Sequence, residues 1–367
     1  LSTPDATATH LLTALDTVVI GAGQAGLAAA YYLQQHGVAF RLLEAAATPG
    51  AAWETRYDSL RLFSPAWASG LPGYSWPGPA LRYPTRDETT AYLQKYAAHF
   101  RFPIDTGQRV VRLTTASSQA GYEVQTEAGG HYLSQRVIIA TGPYTTPRIP
   151  SWAVQVPAQV IQLHSSAYRR PAQLPGGGPV AVVGSGNSAL QIGGDIAATG
   201  RPVMVAFDEK TPAVPNNQLS WALLAATGLM RIPRHTGLGR WMHAQPEPVV
   251  RGDLAHLRRF ANATFIGRAT ASRSDGSLQG QQAASPPLDA IVWATGYQPD
   301  YSWIDLPIIG SDGHPRHQRG LTAAPGIAFL GLDWLDSRNS ALLNGVGADA
   351  RRVVHTLLKQ PRSVHGS

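Results

Sequence analysis

The chain has 367 residues, 44% of them hydrophobic, which is enough for two buried cores. It has no cysteine, and that excludes disulfides, thiolate metal sites and dithiol redox chemistry. The net charge is +7, but the arginines are scattered (Arg169-Arg170, Arg258-Arg259, Arg351-Arg352) with no lysine run or aromatic-interleaved stripe, so no nucleic acid is expected as partner. No apolar run reaches the roughly 18 residues of a membrane helix, and no basic-then-apolar signal segment precedes the first strand. The expectation is a cytoplasmic protein with no membrane association and no metal.

Residues 1–16 are Thr/Ala-rich and read as a frayed end. Thr17 to Glu44 then reads as strand, glycine turn, helix, strand. Val18 to Ile20 is short enough for a buried parallel strand, and Gly21, Gly23 and Gly26 follow at the spacing G-x-G-x-x-G. The first glycine permits the tight turn, the second lets backbone approach a pyrophosphate, and the third lets helix and strand pack closely. Gly37 stops the helix. Glu44 ends the second strand, where a carboxylate takes both hydroxyls of an adenosine ribose.

A long aromatic loop follows Glu44, too long for a plain connection and therefore expected to be functional or to cover something. Arg86 to Phe100 has helical spacing, with Thr85 or Asp87 as its cap. Val110 to Leu113, Tyr122 to Gln125 and Arg136 to Ala140 are strand-like. They end in Ala140-Thr141-Gly142, a small-residue turn that brings backbone to a ligand at the sheet's carboxyl edge. Pro143 to Pro150 reads as a hinge. At Val180 the opening pattern returns, with Gly184, Gly186, Ala189 and Gly200 each 163 residues after Gly21, Gly23, Gly26 and Gly37. Four matches at one offset mean a repeated mononucleotide-binding unit and a second nucleotide site. Lys210 to Gln282 is irregular, apart from the helical-looking Leu219 to Leu229, and its ligands cannot be placed. Ala290 to Ala294 is another buried strand, closing in Thr295-Gly296. Ile327 to Leu330 is a last strand before Gly331-Leu332-Asp333, and Ser340 begins a terminal helix.

Two fingerprints, two Ala-Thr-Gly turns and a late Gly-x-Asp resemble the two-dinucleotide-binding-domain flavoproteins over nearly the whole chain. Without cysteines the disulfide-reductase branch is out, and the chain resembles the flavin-containing monooxygenases, particularly the small bacterial type. Their F-x-G-x-x-x-H-S-x-x-Y signature is matched in its latter half by His164, Ser165 and Tyr168, with Ala158 and Val160 in place of Phe and Gly. GAAW at 50–53, GSGNSALQI at 184–192 and WATGYQP at 293–299 also look like this family.

The resemblance implies an α/β fold of two Rossmann-like dinucleotide-binding domains, the smaller NAD(P)-binding one (167–289) inserted in the FAD-binding one (1–166 and 290–367). It implies FAD held by Gly21, Gly23, Gln24, Ala25, Gly26, Glu44, Ala45, Trp53, Val111, Ala140, Thr141, Gly142, Asp333, Ser340 and Ala341. NADH or NADPH would be held by Gly184, Ser185, Gly186, Asn187, Ser188 and Asp208. It implies transfer of one oxygen of O2 to a sulfide or amine through a peroxyflavin, with Asn187 an orienting amide near the nicotinamide and His164 ordering the linker. Phe63 and Ser64 are expected as flavin shields where many members carry an Asn, which leaves an NAD(P)H oxidase open, as well as an electron-transfer reductase or a nucleotide-binding regulator.

The 163-residue offset from Glu44 lands on Phe207, beside Asp208 and Glu209. Carboxylates there repel a 2′-phosphate, with Lys210 and Arg201 near enough to soften this, so NADH is expected to serve at least as well as NADPH. The expected partners are a small-molecule substrate and O2, and a homodimer is left open.

Overall fold

Thr17, Val18, Val19 and Ile20 are buried on both faces, so the first apolar run makes a central parallel strand and not an edge. The computed structural model describes residues 14–116 and 121–360, and in it this strand is β1 (Ala14–Ile20). It leads into α1 (Gln24–Gln35) and β2 (Phe40–Leu43). The long aromatic loop carries a short α2 (Ala51–Glu54) and a 3-10 turn at Ala66–Ala68 before α3 (Arg86–Phe100). The N-cap of α3 is Thr85, in a capping box closed by Glu88. Strands β3 (Ile104–Asp105), β4 (Val110–Thr115), β5 (Tyr122–Thr126) and β6 (His131–Ile139) complete the first run.

The chain crosses through β7 (Thr146–Pro147) to β8 (Ile161–His164), then repeats the opening with β9 (Val180–Val183), α4 (Asn187–Ala197) and β10 (Val203–Ala206). The segment read as irregular holds β11 (Ala213–Val214), α5 (Gln218–Thr227) where Leu219 to Leu229 looked helical, α6 (Gly237–Ala244), β12 (Val249–Val250) and α7 (Arg251–Leu257). After β13 (Ala263–Phe265) come a hairpin of β14 (Ala269–Ser272) and β15 (Leu278–Gly280), then β16 (Ala290–Trp293) and β17 (Tyr297–Gln298). The chain ends in β18 (Ile327–Phe329) and α8 (Leu343–Lys359).

The strands form two main sheets. The first has the order β3-β2-β1-β6-β5-β4, with β18 also on β6; β1, β2, β3, β6 and β18 run parallel and β4 and β5 form the antiparallel edge. The second, β13-β10-β9-β16-β8, is parallel throughout. These are two Rossmann-like sheets in one chain. In each, the first strand of the glycine unit lies between neighbours reached in opposite directions, where the crevice at the carboxyl ends takes a ligand.

Two sequence expectations shift. Residues 1–13 of the expected frayed end lie outside the described residues, while Ala14 to Asp16 extend β1, held by pairing Ala14 with Leu133 and Leu15 with Ser134. Ile161–His164 and Ala290–Trp293 both pair within the second sheet, so the expected 167–289 limits cut through it. The first core joins α1 to α8, whose Leu343, Val346, Ala350, Val353, Val354 and Leu357 repeat at helical spacing and are buried.

Candidate active site

The first glycine turn separates what folding needs from what a ligand needs. Gly21 has φ +102°, and a Cβ there would stand 2.7 Å from the Ala140 carbonyl oxygen. One on Gly26 would stand 1.8 Å from the Gly21 oxygen. A Cβ on Gly23 would meet nothing within 4 Å. Gly23 is the N-cap of α1, makes no side-chain cap bond, and faces open space where the helix favours an anion.

Around that opening the predicted residues converge. Glu44 accepts from Ala22 N at 2.8 Å and Ala46 N at 2.9 Å, one bond to each oxygen, leaving lone pairs for ribose hydroxyls. Gln24 accepts from Trp53 Nε1 and donates to the Ala341 carbonyl, both at 3.1 Å, tying the aromatic loop and the start of α8 to the glycine turn. Thr141 has a buried hydroxyl with no protein partner, beside Gly142 at φ +74°. Gly331, at φ +79°, would place a Cβ 2.6 Å from that of Ala25, so the Gly-x-Asp segment passes directly over α1. Val111 is exposed at the β4 bulge, three residues past Gln108, whose N–H donates to the Glu44 carbonyl.

A cradle that a Cβ at Gly23 would fill, a ribose-type carboxylate and an orphaned hydroxyl together fit a dinucleotide. Bound there, FAD supplies hydride acceptance and, when reduced, activation of dioxygen.

Asp333 reaches solvent, yet protein surrounds it, as expected of a cleft-lining group. That desolvation raises its carboxyl above the ordinary value; Glu247 adds to the rise, and the hydrogen bond with Tyr144 opposes it. Ser340 differs from expectation. Its hydroxyl is fully buried and accepts from Asp336 N and Ser337 N at 3.0 Å, closing a turn, so α8 starts at Leu343.

The second turn repeats the first. Gly184 has φ +153° and a Cβ there would lie 2.1 Å from the Ala294 oxygen, while Gly186 again opens on free space. Ser185 accepts from Asp208 N at 2.9 Å, and the buried Tyr57 hydroxyl donates to Gln191 Oε1 in α4 at 3.0 Å. The Asn187 oxygen accepts from Val250 N at 2.8 Å, so its acceptor end is taken by β12 and only its NH2 remains for a ligand.

Arg201 does not reach this site. It sits at the amino end of β10, bonding the carbonyls of Leu174, Pro175 and Gly178 and the carboxylate of Asp289. A cation beside these acids that sequence did not assign is Arg258, paired with Glu209 at 2.6 Å and placed over Phe265 at 5.2 Å. Sequence missed it because it lies 49 residues beyond Glu209.

Phe63 stacks on Trp221 with ring centroids 6.4 Å apart, and the Ser64 hydroxyl is buried against that of Ser69 at 2.9 Å. His164 takes its expected place in the linker. Its Nδ1 accepts from Ser166 N at 3.1 Å, which puts the proton on Nε2, donating to the Gly296 carbonyl at 2.9 Å. Burial lowers its pKa, the Gly296 bond raises it and Arg56 lowers it. Arg56, which sequence did not single out, bonds the Tyr297 hydroxyl and faces the Tyr297 and Tyr144 rings.

A family profile described as pyridine nucleotide-disulphide oxidoreductase matches residues 18–232, from the first glycine unit through most of the second. The chain belongs to the pyridine nucleotide-disulphide oxidoreductase family. An uncharacterized CzcO-like oxidoreductase of Geobacillus kaustophilus is 36% identical over 94% of this chain and 98% of its own. CzcO of Bacillus subtilis is 32% identical over 92% of this chain and 98% of its own. A solved flavin-containing monooxygenase from Stenotrophomonas maltophilia superposes with TM-score 0.76 at 29% identity, covering 94% and 98% of the two chains. Despite the family's name, this member has no cysteine to form a disulphide. It is an oxidoreductase of the bacterial flavin monooxygenase type, using FAD and a pyridine nucleotide. Among the described residues no helix is long and apolar enough to cross a membrane.

Proposed function

We propose that the protein consumes NAD(P)H to transfer one oxygen atom of O2 to a soft nucleophile, a sulfide or an amine. The other atom leaves as water with the hydride and one proton. The observation that carries this reading is the pair of glycine turns, each open at its second glycine, in a chain with no cysteine to take electrons onward. The first turn holds FAD and the second the nicotinamide nucleotide. The division of the chain that best respects the sheets falls at the β7/β17 ladder, where Thr146 pairs with Gln298 and Pro147 with Tyr297. Small molecules and O2 are its partners, in the cytoplasm.

NADH serves at least as well as NADPH in this reading. Glu209 occupies Arg258, and Asp208 stands beside Glu209 just after β10. A second reading, partial NADH oxidase activity, is favoured by one contact: Ser64 spends its hydroxyl on Ser69, and Phe63 has no polar atom to offer dioxygen.

The test is anaerobic mixing with NADH, then oxygen and methyl phenyl sulfide. Bleaching of the flavin followed by sulfoxide in step with NADH supports the monooxygenase, and hydrogen peroxide alone supports the oxidase. No bleaching by either nucleotide overturns both. In the same assay, Glu209→Gln frees Arg258 and improves kcat/KM for NADPH relative to NADH by about tenfold. A wild-type preference for NADPH would contradict the coenzyme reading.

A further inference from the structure

A cavity of about 590 Å³ lies between the aromatic loop of the first unit, α5 with the turn after it, and the first turn of α8. Its walls are aromatic and two of them are fixed. Trp76 stacks on Tyr92 with centroids 4.2 Å apart and planes 13° from parallel. Trp221 gives its indole N–H to Asn216 Oδ1 at 2.7 Å and the Phe63 carbonyl at 3.1 Å. Trp67 donates to Gln218 Oε1 at 2.9 Å, and Gln218 in turn donates to the Leu81 carbonyl at 2.6 Å, so the wall is latched across the two units. With the N–H groups of Trp67 and Trp221 taken, these residues offer ring faces and edges, which suit flat apolar groups.

The polar groups of the cavity are few and unequal in sign. Arg231 at its edge is exposed, and no side-chain ion pair engages it among the described residues; no Asp or Glu lines the space. Within the cavity's lining Asn344, in the first turn of α8, has a buried side-chain oxygen without a partner. Aromatic walls with one unopposed guanidinium recognise a planar ligand that carries a carboxylate, since arginine pairs carboxylates through two parallel N–H donors. The volume falls within the usual range for a small-molecule site, roughly 300–1,000 Å³.

We propose that this cavity is the substrate site, and that it selects a flat aromatic compound bearing a carboxylate, with Arg231 as the specificity-determining residue. The substrate class rests on the monooxygenase reading above; the binding preference does not. Trp221 joins the two, because it lines the cavity and also stacks on Phe63.

The experiment uses the flavin-loaded, oxidised protein without NADH and measures binding by calorimetry. Its probes are three sulfides of similar size: (phenylthio)acetate, its neutral methyl ester, and 2-(phenylthio)ethylamine. The anion is expected to bind at least about tenfold tighter than the ester or the ammonium. Arg231→Gln is expected to abolish that preference while leaving the ester unchanged. Leu224→Trp, which fills the cavity without removing a polar contact, is expected to weaken all three. Equal affinity for the three probes, or an unchanged preference in Arg231→Gln, overturns the proposal.

Turnover is then measured separately with the same probes. Charge-selective binding without sulfoxide would sink the monooxygenase reading and leave the cavity's assignment standing. Equal sulfoxidation of all three, with no selective binding, would do the reverse.

Discussion

Gly23 and Gly26 sit three residues apart in one turn and answer to different demands. At Gly26 an added methyl group meets the Gly21 carbonyl at 1.8 Å, so backbone must move. Gly26→Ala is therefore expected to cost ~1–3 kcal/mol of stability, the usual range for overpacking, with or without FAD. Gly23 has φ −78° and ψ −171°, which alanine adopts without strain, and its Cβ would enter empty space. Gly23→Ala is expected to leave the flavin-free protein's unfolding within ~0.5 kcal/mol of wild type. Its FAD dissociation constant should rise about tenfold or more, because the methyl occupies the path of the pyrophosphate. Urea unfolding of the flavin-free proteins, paired with FAD titration, separates the two effects; a Gly23→Ala protein that binds FAD as wild type does would remove the pyrophosphate from this turn.

At the scale of elements, the linker carries the pH dependence. His164, on the last residue of β8, holds the turn after β16 through Gly296, and does so as the neutral imidazole because Nδ1 is already an acceptor. Its folded pKa lies below the ordinary 6.5, so the unfolded chain binds the proton first. The penalty is absent above about pH 6.5 and grows as pH falls through that value toward the lowered folded pKa. His243 and His317 are lowered in the same direction, first by burial, and add to the loss on that side. His164→Gln keeps an amide donor for Gly296 but does not titrate. Its melting temperature is expected to fall less than the wild type's between about pH 7.5 and about pH 5.5, and parallel profiles would show that His164 does not carry the effect.

The same elements show what was legible in the sequence. The two glycine units, α3 with its Thr85 cap, and β18 could be read because each is specified locally, by a turn glycine, a capping box or a buried apolar run. The helix expected from Ser340 starts at Leu343 instead, because the Ser340 hydroxyl closes a turn on Asp336 and Ser337 that only the fold shows. The partnering of Glu209 with Arg258, of Trp67 with Gln218, and of Arg56 with Tyr297 could not be read at all. Each joins residues far apart in sequence, and no local spacing encodes it.

For the whole molecule, the question is how two units that each bind a nucleotide keep those nucleotides in register. Besides the His164 clasp there is a second. Glu247, just before β12, accepts from Trp334 Nε1 at 3.1 Å and from Arg338 Nη2 at 2.7 Å, both in the loop that carries Asp333. His243 at the end of α6 packs edge-on against Trp334 at 5.2 Å. Glu247 is 66% exposed, so as an ion pair it is worth little, about 0–1 kcal/mol. Its effect on Asp333 is separate: it helps hold that carboxyl above its ordinary value. Glu247→Ala is thus expected to change unfolding by less than ~1 kcal/mol. Flavin reduction at saturating NADH should nevertheless slow by on the order of three- to tenfold, because small misplacements of donor and acceptor are costly to transfer. The two dissociation constants should stay within about twofold, since neither nucleotide cradle is touched. Stopped-flow reduction under anaerobic conditions reads the first quantity and equilibrium titration the second. A variant that loses NADH affinity while its limiting reduction rate is unchanged would place Glu247 in the binding of the nucleotide, and the alignment of the two units would then rest on the His164 linker.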